Sequence, residues 1–219
     1  MTMKGRWDRL QAHLYEAVVA SGIDALYDRF VEEVTPRVAE GSDVLDVGCG
    51  MGQVTSRLAL EMPDCRVVGV DLSEDMVRRA RAHAPARDNL SFQQGDAMAL
   101  PFEDERFDVA TSVASIKHWP DRLRGVKELL RVLRPGGLVC ILEADRDCSD
   151  AQAARFVADW RAVVPGTRPL LNWYFRRIVA GQALNLEELV GLMTRAGVVD
   201  LEHQQVTDLP LVVAWGRKS

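Results

Sequence analysis

Residues 44–52 read Val44-Leu45-Asp46-Val47-Gly48-Cys49-Gly50-Met51-Gly52, and no other stretch narrows the possible folds as far. An apolar run ends in Asp46 and Val47, three glycines follow on alternate positions, and an amphipathic stretch begins at Gln53. That order predicts a buried strand, a tight turn and the start of a helix. Glycine suits such a turn because it accepts positive φ and lets a ligand lie against bare backbone. The free N–H groups at the head of the following helix suit a carboxylate or phosphate. A nucleotide-like ligand is therefore expected on this loop.

Spacing narrows the choice of ligand. A dinucleotide fingerprint places its glycines as G-x-G-x-x-G. Gly48 and Gly50 fit, but Gln53 holds the third place and Gly52 comes one residue early. Asp46 stands two residues before the first glycine, where a dinucleotide strand normally carries an apolar residue. A second apolar stretch, Arg66-Val67-Val68-Gly69-Val70-Asp71, ends in a carboxylate able to accept from both hydroxyls of a ribose. Taken together, these residues resemble the glycine motif and acidic loop of the class I S-adenosylmethionine-dependent methyltransferases. The resemblance continues in order through Leu90–Gln94 with Gly95-Asp96-Ala97, through Phe107–Val113, and through Leu129–Leu142 with its Pro135-Gly136-Gly137 turn. It covers residues 44–144. One glycine loop alone would be a weak signal, whereas several blocks in the right order are a specific one.

The resemblance implies a Rossmann-like, mostly parallel seven-stranded sheet with helices on both faces. It also implies an antiparallel C-terminal edge strand, an N-terminal helical lid and a helical insertion after the fifth strand. The expected cofactor is S-adenosylmethionine, held by Asp46, Gly48, Cys49, Gly50, Asp71, Leu72, Asp96, Ala97 and Val113. Asp71 would meet the ribose and Asp96 the adenine amino group. The segment Ser112–Trp119 follows the fourth strand, which carries acceptor-facing residues in many members of the family. There His118 is a candidate general base or hydrogen-bond partner, since imidazole titrates near neutrality. Alternatively it caps the next helix or contacts the cofactor from outside. Lys117 can pair with an anionic acceptor or stand solvated, and Glu143, Asp145 and Arg146 either hold an acceptor or are loop charges.

The chain reads as one methyltransferase domain over 1–219, with N-terminal helices in 1–40, the cofactor core in 44–144 and a helical insertion in 147–181. Helical spacing recurs at Leu10, Leu14 and Val18, then at Phe30, Val34 and Val38, and makes Tyr15 and Tyr27 possible lid contacts. Helices are expected over 149–164 and 170–180, joined through Pro165–Pro169, and another over Leu186–Ala196 ending at Gly197. Strands near Val198–Val206 and Pro210–Trp215 would then form an antiparallel hairpin. Within the insertion, Asn172, Trp173, Tyr174 and Arg176 form an aromatic-polar cluster that either packs or lines an acceptor pocket.

Composition sets the remaining bounds. The net charge is −5 with no Lys/Arg cluster, which disfavours a nucleic-acid substrate. No run is apolar and long enough to span a bilayer, and Met1–Asp8 lacks a signal-peptide core, so a cytoplasmic protein without a membrane partner is expected. Cys49, Cys65, Cys140 and Cys148 form no C-x-x-C pair, and the four histidines show no ligand spacing, so no metal site is expected. No Asn/Asp-Pro-Pro-Tyr motif follows the fourth strand, which favours a small-molecule acceptor over nucleic acid or protein amides. The enzyme would be a monomer or homodimer. The rival readings are a nucleotide-sugar or NAD-linked enzyme, which Gln53 and Asp46 oppose, and a catalytically silent S-adenosylmethionine-binding module.

Overall fold

In the computed structural model, residues 24–158, 160 and 166–219 are described. The expected N-terminal helix around Leu10, Leu14 and Val18, with Tyr15, lies outside them. The first described helix, α1 (Asp24–Val34), turns Leu26, Tyr27, Phe30, Val31 and Val34 inward, all 7% exposed or less. A short 3-10 turn, Thr35–Arg37, leads to strand β1 (Asp43–Val47), which is buried at every position. Burial on both faces explains why Val44 and Leu45 are apolar in succession rather than alternating with exposed polar residues.

Strand and helix then alternate: α2 (Gln53–Glu61), β2 (Arg66–Asp71), α3 (Glu74–His83), β3 (Leu90–Gln94), β4 (Phe107–Val113), α4 (Arg122–Val132) and β5 (Leu133–Ala144). After β5 come α5 (Asp150–Ala158), α6 (Arg168–Tyr174), α7 (Leu186–Ala196), β6 (Val198–Val206) and β7 (Leu211–Lys218). The seven strands form one sheet in the order β3-β2-β1-β4-β5-β7-β6. All neighbours pair in parallel except β7, which runs antiparallel to both β5 and β6. The antiparallel strand therefore slots inside β6, and the hairpin as a whole closes that edge.

Adjacent side chains on each strand go to opposite layers. Val44, Val109, Leu138 and Cys140 meet α1, α2, α5 and the end of α6, while Leu45, Ala110, Val139 and Ile141 meet α4 and α7. From β1 the chain moves outward through β2 and β3, then returns to build β4 on the other side of β1. Such a reversal opens a crevice at the carboxyl ends of the two central strands, where ligands of doubly wound sheets lie.

Helix ends follow local chemistry. Ser73 caps α3 by accepting from the Met76 N–H at 3.4 Å, with Glu74 and Asp75 in the first turn. Asn185 and Glu188 form a reciprocal capping box on α7, which ends at Gly197 with φ +100°. The insertion departs from expectation in one respect. Its second helix starts at Arg168, because Pro169 takes a first-turn position where its missing N–H costs nothing. The helix continues through a π turn, Phe175–Val179, and a 3-10 turn, Ala180–Gln182. Phe156, Trp160 and Phe175 form an inward aromatic cluster with centroid separations of 5.0–6.3 Å. Among the described residues no helix is long and apolar enough to cross a membrane, and no group of three or more His, Cys, Asp or Glu side chains could hold a metal ion.

Candidate functional site

The loop between β1 and α2 is organised by the end of β2. The Gly48 and Cys49 N–H groups both donate to the Val70 carbonyl, at 2.7 and 3.0 Å. The Gly50 N–H donates to Asp71 Oδ2 at 2.9 Å, and the Ser73 N–H donates to Asp71 Oδ1 at 2.8 Å. One carboxylate thus holds two loops and keeps a free lone pair on each oxygen. Burial raises the pKa of Asp71, and the two N–H donors work against that rise.

Two glycines serve the loop differently. At Gly48 (φ +77°) a Cβ would lie 1.8 Å from Ser115 Oγ, so the residue after β4 fills the space a side chain would need. At Gly50 (φ +53°) a Cβ would meet nothing within 4 Å. That side of the loop is open, bare of side chain and beside Asp71, so a ligand has room to lie directly against the backbone there.

Asp46 takes a different place from the one expected. It is 1% exposed and lies beneath the loop rather than on it. Its Oδ2 accepts from Thr55 Oγ1 at 2.6 Å and its Oδ1 from Thr111 Oγ1 at 3.3 Å, so it ties α2 and β4 to β1. Burial raises its pKa to about 6, against the pull of the two hydroxyls. Neither threonine stood out in the sequence; the available signal was a hydroxyl inside the apolar β4 run and another in the first turn after the glycines. Asp96 is exposed, with Oδ1 accepting from the Met98 N–H at 2.9 Å. Leu72 is 65% exposed, whereas Ala97, Val113 and Cys49 are each 8% exposed. Burial pushes the Cys49 thiol well above its usual range, so it stays a neutral thiol.

The segment after β4 carries the largest correction. Lys117 is neither solvated nor free for an anionic acceptor. Its Nζ donates to Glu143 Oε1 at 2.8 Å and also to the Ala114 carbonyl, and the two side chains are 7% and 0% exposed. Glu143 further accepts from the N–H groups of Ala144 (2.8 Å) and Lys117 (3.2 Å). The contact forms because β4 and β5 are adjacent, which brings residues 26 apart in sequence together. It clamps a strained backbone: Ala114 has φ +53°, a left-handed conformation unfavourable for alanine. Ser115 Oγ accepts from Trp119 Nε1 at 3.1 Å. Asp145 is likewise enclosed, accepting from the Asp147 N–H and Gln205 Nε2, and Arg146 pairs with Glu188 at 2.7 Å. These acids are therefore held by the protein itself rather than presented to an acceptor.

His118 ends the 3-10 turn Ile116–His118 and keeps an exposed surface. Desolvation by its neighbours, and next the Lys117 charge, pull its pKa down to about 4. The ring is neutral at physiological pH and a weak base. In the insertion, Trp173 and Tyr174 are 56% and 41% exposed, and Arg176 pairs with Asp150. Asn172 Oδ1 is buried without a partner.

The chain is similar to known proteins in sequence and in fold. The model of a family described as a methyltransferase domain matches residues 45–141. The chain is 33% identical over 173 residues to a demethylmenaquinone methyltransferase of Lactococcus lactis subsp. lactis (strain IL1403), covering 75% of this chain and 69% of the other. It is 37% identical over 184 residues to the corresponding protein of Symbiobacterium thermophilum (strain DSM 24528 / JCM 14929 / IAM 14863 / T), covering 75% and 71%. In structure it is similar to an S-adenosylmethionine-dependent methyltransferase from Aquifex aeolicus, with a TM-score of 0.70, 18% identity and coverage of 98% and 100%.

Proposed function

This chain belongs to the class I S-adenosylmethionine-dependent methyltransferases, and from that premise we propose that it methylates an acceptor of the demethylmenaquinone type. That it is an enzyme, binds S-adenosylmethionine and acts on a small molecule follows from its family. The finer choice of acceptor rests on the 33% and 37% identity to two proteins of that name.

When bound, the cofactor supplies a methyl group made electrophilic by its sulfonium, so the chain's work is to bind and align. In our reading the Gly48–Gly52 loop carries the amino-acid end on the open side of Gly50. Asp71 accepts from the ribose hydroxyls, and Asp96 with Ala97 borders the adenine, with Cys49, Leu72 and Val113 around them. The single observation that carries this assignment is the Asp71 carboxylate, fixed by the N–H groups of Gly50 and Ser73 at 2.9 and 2.8 Å beside the open face. Asp46 supports the loop from below. His118, neutral at pH 7, accepts a hydrogen bond from an acceptor N–H or O–H and so orients it. With a pKa of about 4 it is better suited to orienting than to stripping a proton. Trp173 and Tyr174, with exposed rings, and Arg176, paired with Asp150, take no acceptor role in this reading, unlike the sequence expectation.

The net charge of −5 supports an acceptor other than nucleic acid, and the same reading takes the enzyme as cytoplasmic and as a monomer or homodimer. The test is calorimetry with S-adenosylhomocysteine and NAD, followed by mass-spectrometric detection of methyl transfer to a short-chain demethylmenaquinone analogue, a catechol and an amine. Transfer to the analogue supports the reading, and transfer only to the others sinks this acceptor. Cofactor binding without transfer to any acceptor favours the silent binding module.

A further inference from the structure

Among the described residues, seven large apolar side chains are strongly exposed, and four of them lie between positions 170 and 178. Leu170, Trp173, Tyr174 and Ile178 are 63, 56, 41 and 41% exposed. Their spacing of three and four residues puts them on one face of the continuous helix formed by α6 and its π turn. The opposite face is apolar too: Phe175 is 1% exposed, and Leu171 and Val179 pack on the same core. A helix apolar on both sides is expected to be covered on both, and a cluster of this kind differs from singly scattered surface apolars.

The charge on this element says what could cover it. Residues 166–186 contain no Asp or Glu but carry Arg168, Arg176 and Arg177, in a chain whose net charge is −5. Arg176 is neutralised by Asp150. Arg168 and Arg177 are exposed and meet no carboxylate within ion-pair distance among the described residues. The patch is thus basic on an acidic molecule. Tryptophan and tyrosine beside aliphatic residues and arginines match the chemistry of a bilayer interface, where aromatic rings sit at headgroup level and basic groups meet lipid phosphates. A second copy fits less well, since a twofold contact would bring the uncompensated arginines of both copies towards each other.

We propose that this face of α6 docks the protein on an anionic lipid bilayer surface. Leu170 and Ile178 enter the acyl boundary, Trp173 and Tyr174 lie at the headgroups, and Arg168 and Arg177 engage phosphate. Docking of this kind needs no spanning helix, and it replaces the sequence-based expectation of no membrane partner with a peripheral one. It does not depend on the acceptor proposed above.

The full chain is sedimented with phosphatidylcholine vesicles and with vesicles containing phosphatidylglycerol. Binding should favour the anionic vesicles and weaken with salt. Trp173→Ser combined with Ile178→Ser should reduce partitioning at least tenfold. Arg168→Ser and Arg177→Ser should each lose about fivefold on anionic vesicles only. Leu60→Ser, at an exposed leucine outside the patch, should bind like the parent. Unchanged affinity for S-adenosylhomocysteine in every variant shows that the fold is retained. No binding to either vesicle overturns the proposal, as does binding that the patch variants leave intact. A concentration-dependent dimer abolished by Trp173→Ser and Ile178→Ser would also overturn it, by assigning the face to a second copy. Vesicle binding is read without turnover, so its failure is distinct from failure of the acceptor reading.

Discussion

Replacing Lys117 by methionine tests the post-β4 clamp, because it keeps much of the stem's volume and removes only the ammonium. The Glu143 carboxylate, 0% exposed, is then left with the N–H groups of Ala144 at 2.8 Å and Lys117 at 3.2 Å. Removing one partner of a buried pair costs about 3–5 kcal/mol, since the remaining charge is neither solvated nor compensated. The two surviving donors place the expected loss near the lower end, about 3 kcal/mol. For a chain of 219 residues, each kcal/mol lowers Tm by about 2–4 °C, so a fall of roughly 6–12 °C is expected. The assay is urea unfolding followed by far-ultraviolet circular dichroism on the parent, Lys117→Met, Glu143→Gln and the double variant. Gln at 143 carries no charge to strand, so the double variant should recover about 2 kcal/mol relative to the sum of the single effects. A Lys117→Met protein within about 1 kcal/mol of the parent, or a strictly additive cycle, refutes the argument.

Asp46 predicts a pH dependence. Its folded pKa of about 6 lies above the ordinary 3.8, so ionisation disfavours the folded state: the group costs nothing below pH 4, and stability is lost as pH rises through 6. The full effect is about 3 kcal/mol, and Asp46→Asn should therefore gain on the parent by about that amount between pH 4 and 7 in urea titrations. A pH-independent difference would show that the carboxylate is not buried as described. Asp71→Ala should weaken S-adenosylhomocysteine binding about ten- to 150-fold by calorimetry, with the circular dichroism spectrum preserved; parent-like affinity would dismiss its ribose role. Gly48→Ala should lower stability in urea titrations, because its Cβ would lie 1.8 Å from Ser115 Oγ and 2.5 Å from Ser115 Cβ, the second of which no rotamer change relieves; parent-like stability would show that the turn yields. Gly50→Ala should fold at a strain of about 1–2 kcal/mol yet lose cofactor affinity, and normal binding would mean the open side of the loop is not the ligand's. His118→Ala should lower kcat less than about a hundredfold with cofactor affinity unchanged; a larger loss would restore it as a general base.

Much of the fold was legible because its signals are local. The glycine loop, the carboxylate ending β2 and the Gly197 stop after Leu186–Ala196 are each written in a few consecutive residues. The clamp was not, because Lys117 and Glu143 meet only once β4 and β5 are neighbours, and each alone reads as a surface charge at a strand end. Asp46 illustrates the same limit. Its place before the glycines suggested contact with the ligand, but Thr55 and Thr111 come from two other elements, and periodicity carries no information about which hydroxyls converge. In the insertion, one aromatic set divides into an inward cluster, Phe156, Trp160 and Phe175, and outward rings at 173 and 174. A helix apolar on both sides shows no periodic contrast from which that division could be read. The position of β7 inside β6 is a choice between two hairpin placements that strand propensity does not distinguish.

In the function proposed above, the meeting of Gly48 and Ser115 makes the cofactor loop and the acceptor segment two sides of one wall. A side chain at 48 has no room unless Ser115 moves, and the turn that carries Gly48 is pinned by Val70 and Asp71. Redesigning the acceptor preference through this segment therefore changes cofactor affinity along with it. Substitutions selected for a new acceptor should arrive in pairs, one near position 115 and a compensating one at the turn, whereas changes on the insertion remain free to vary one at a time.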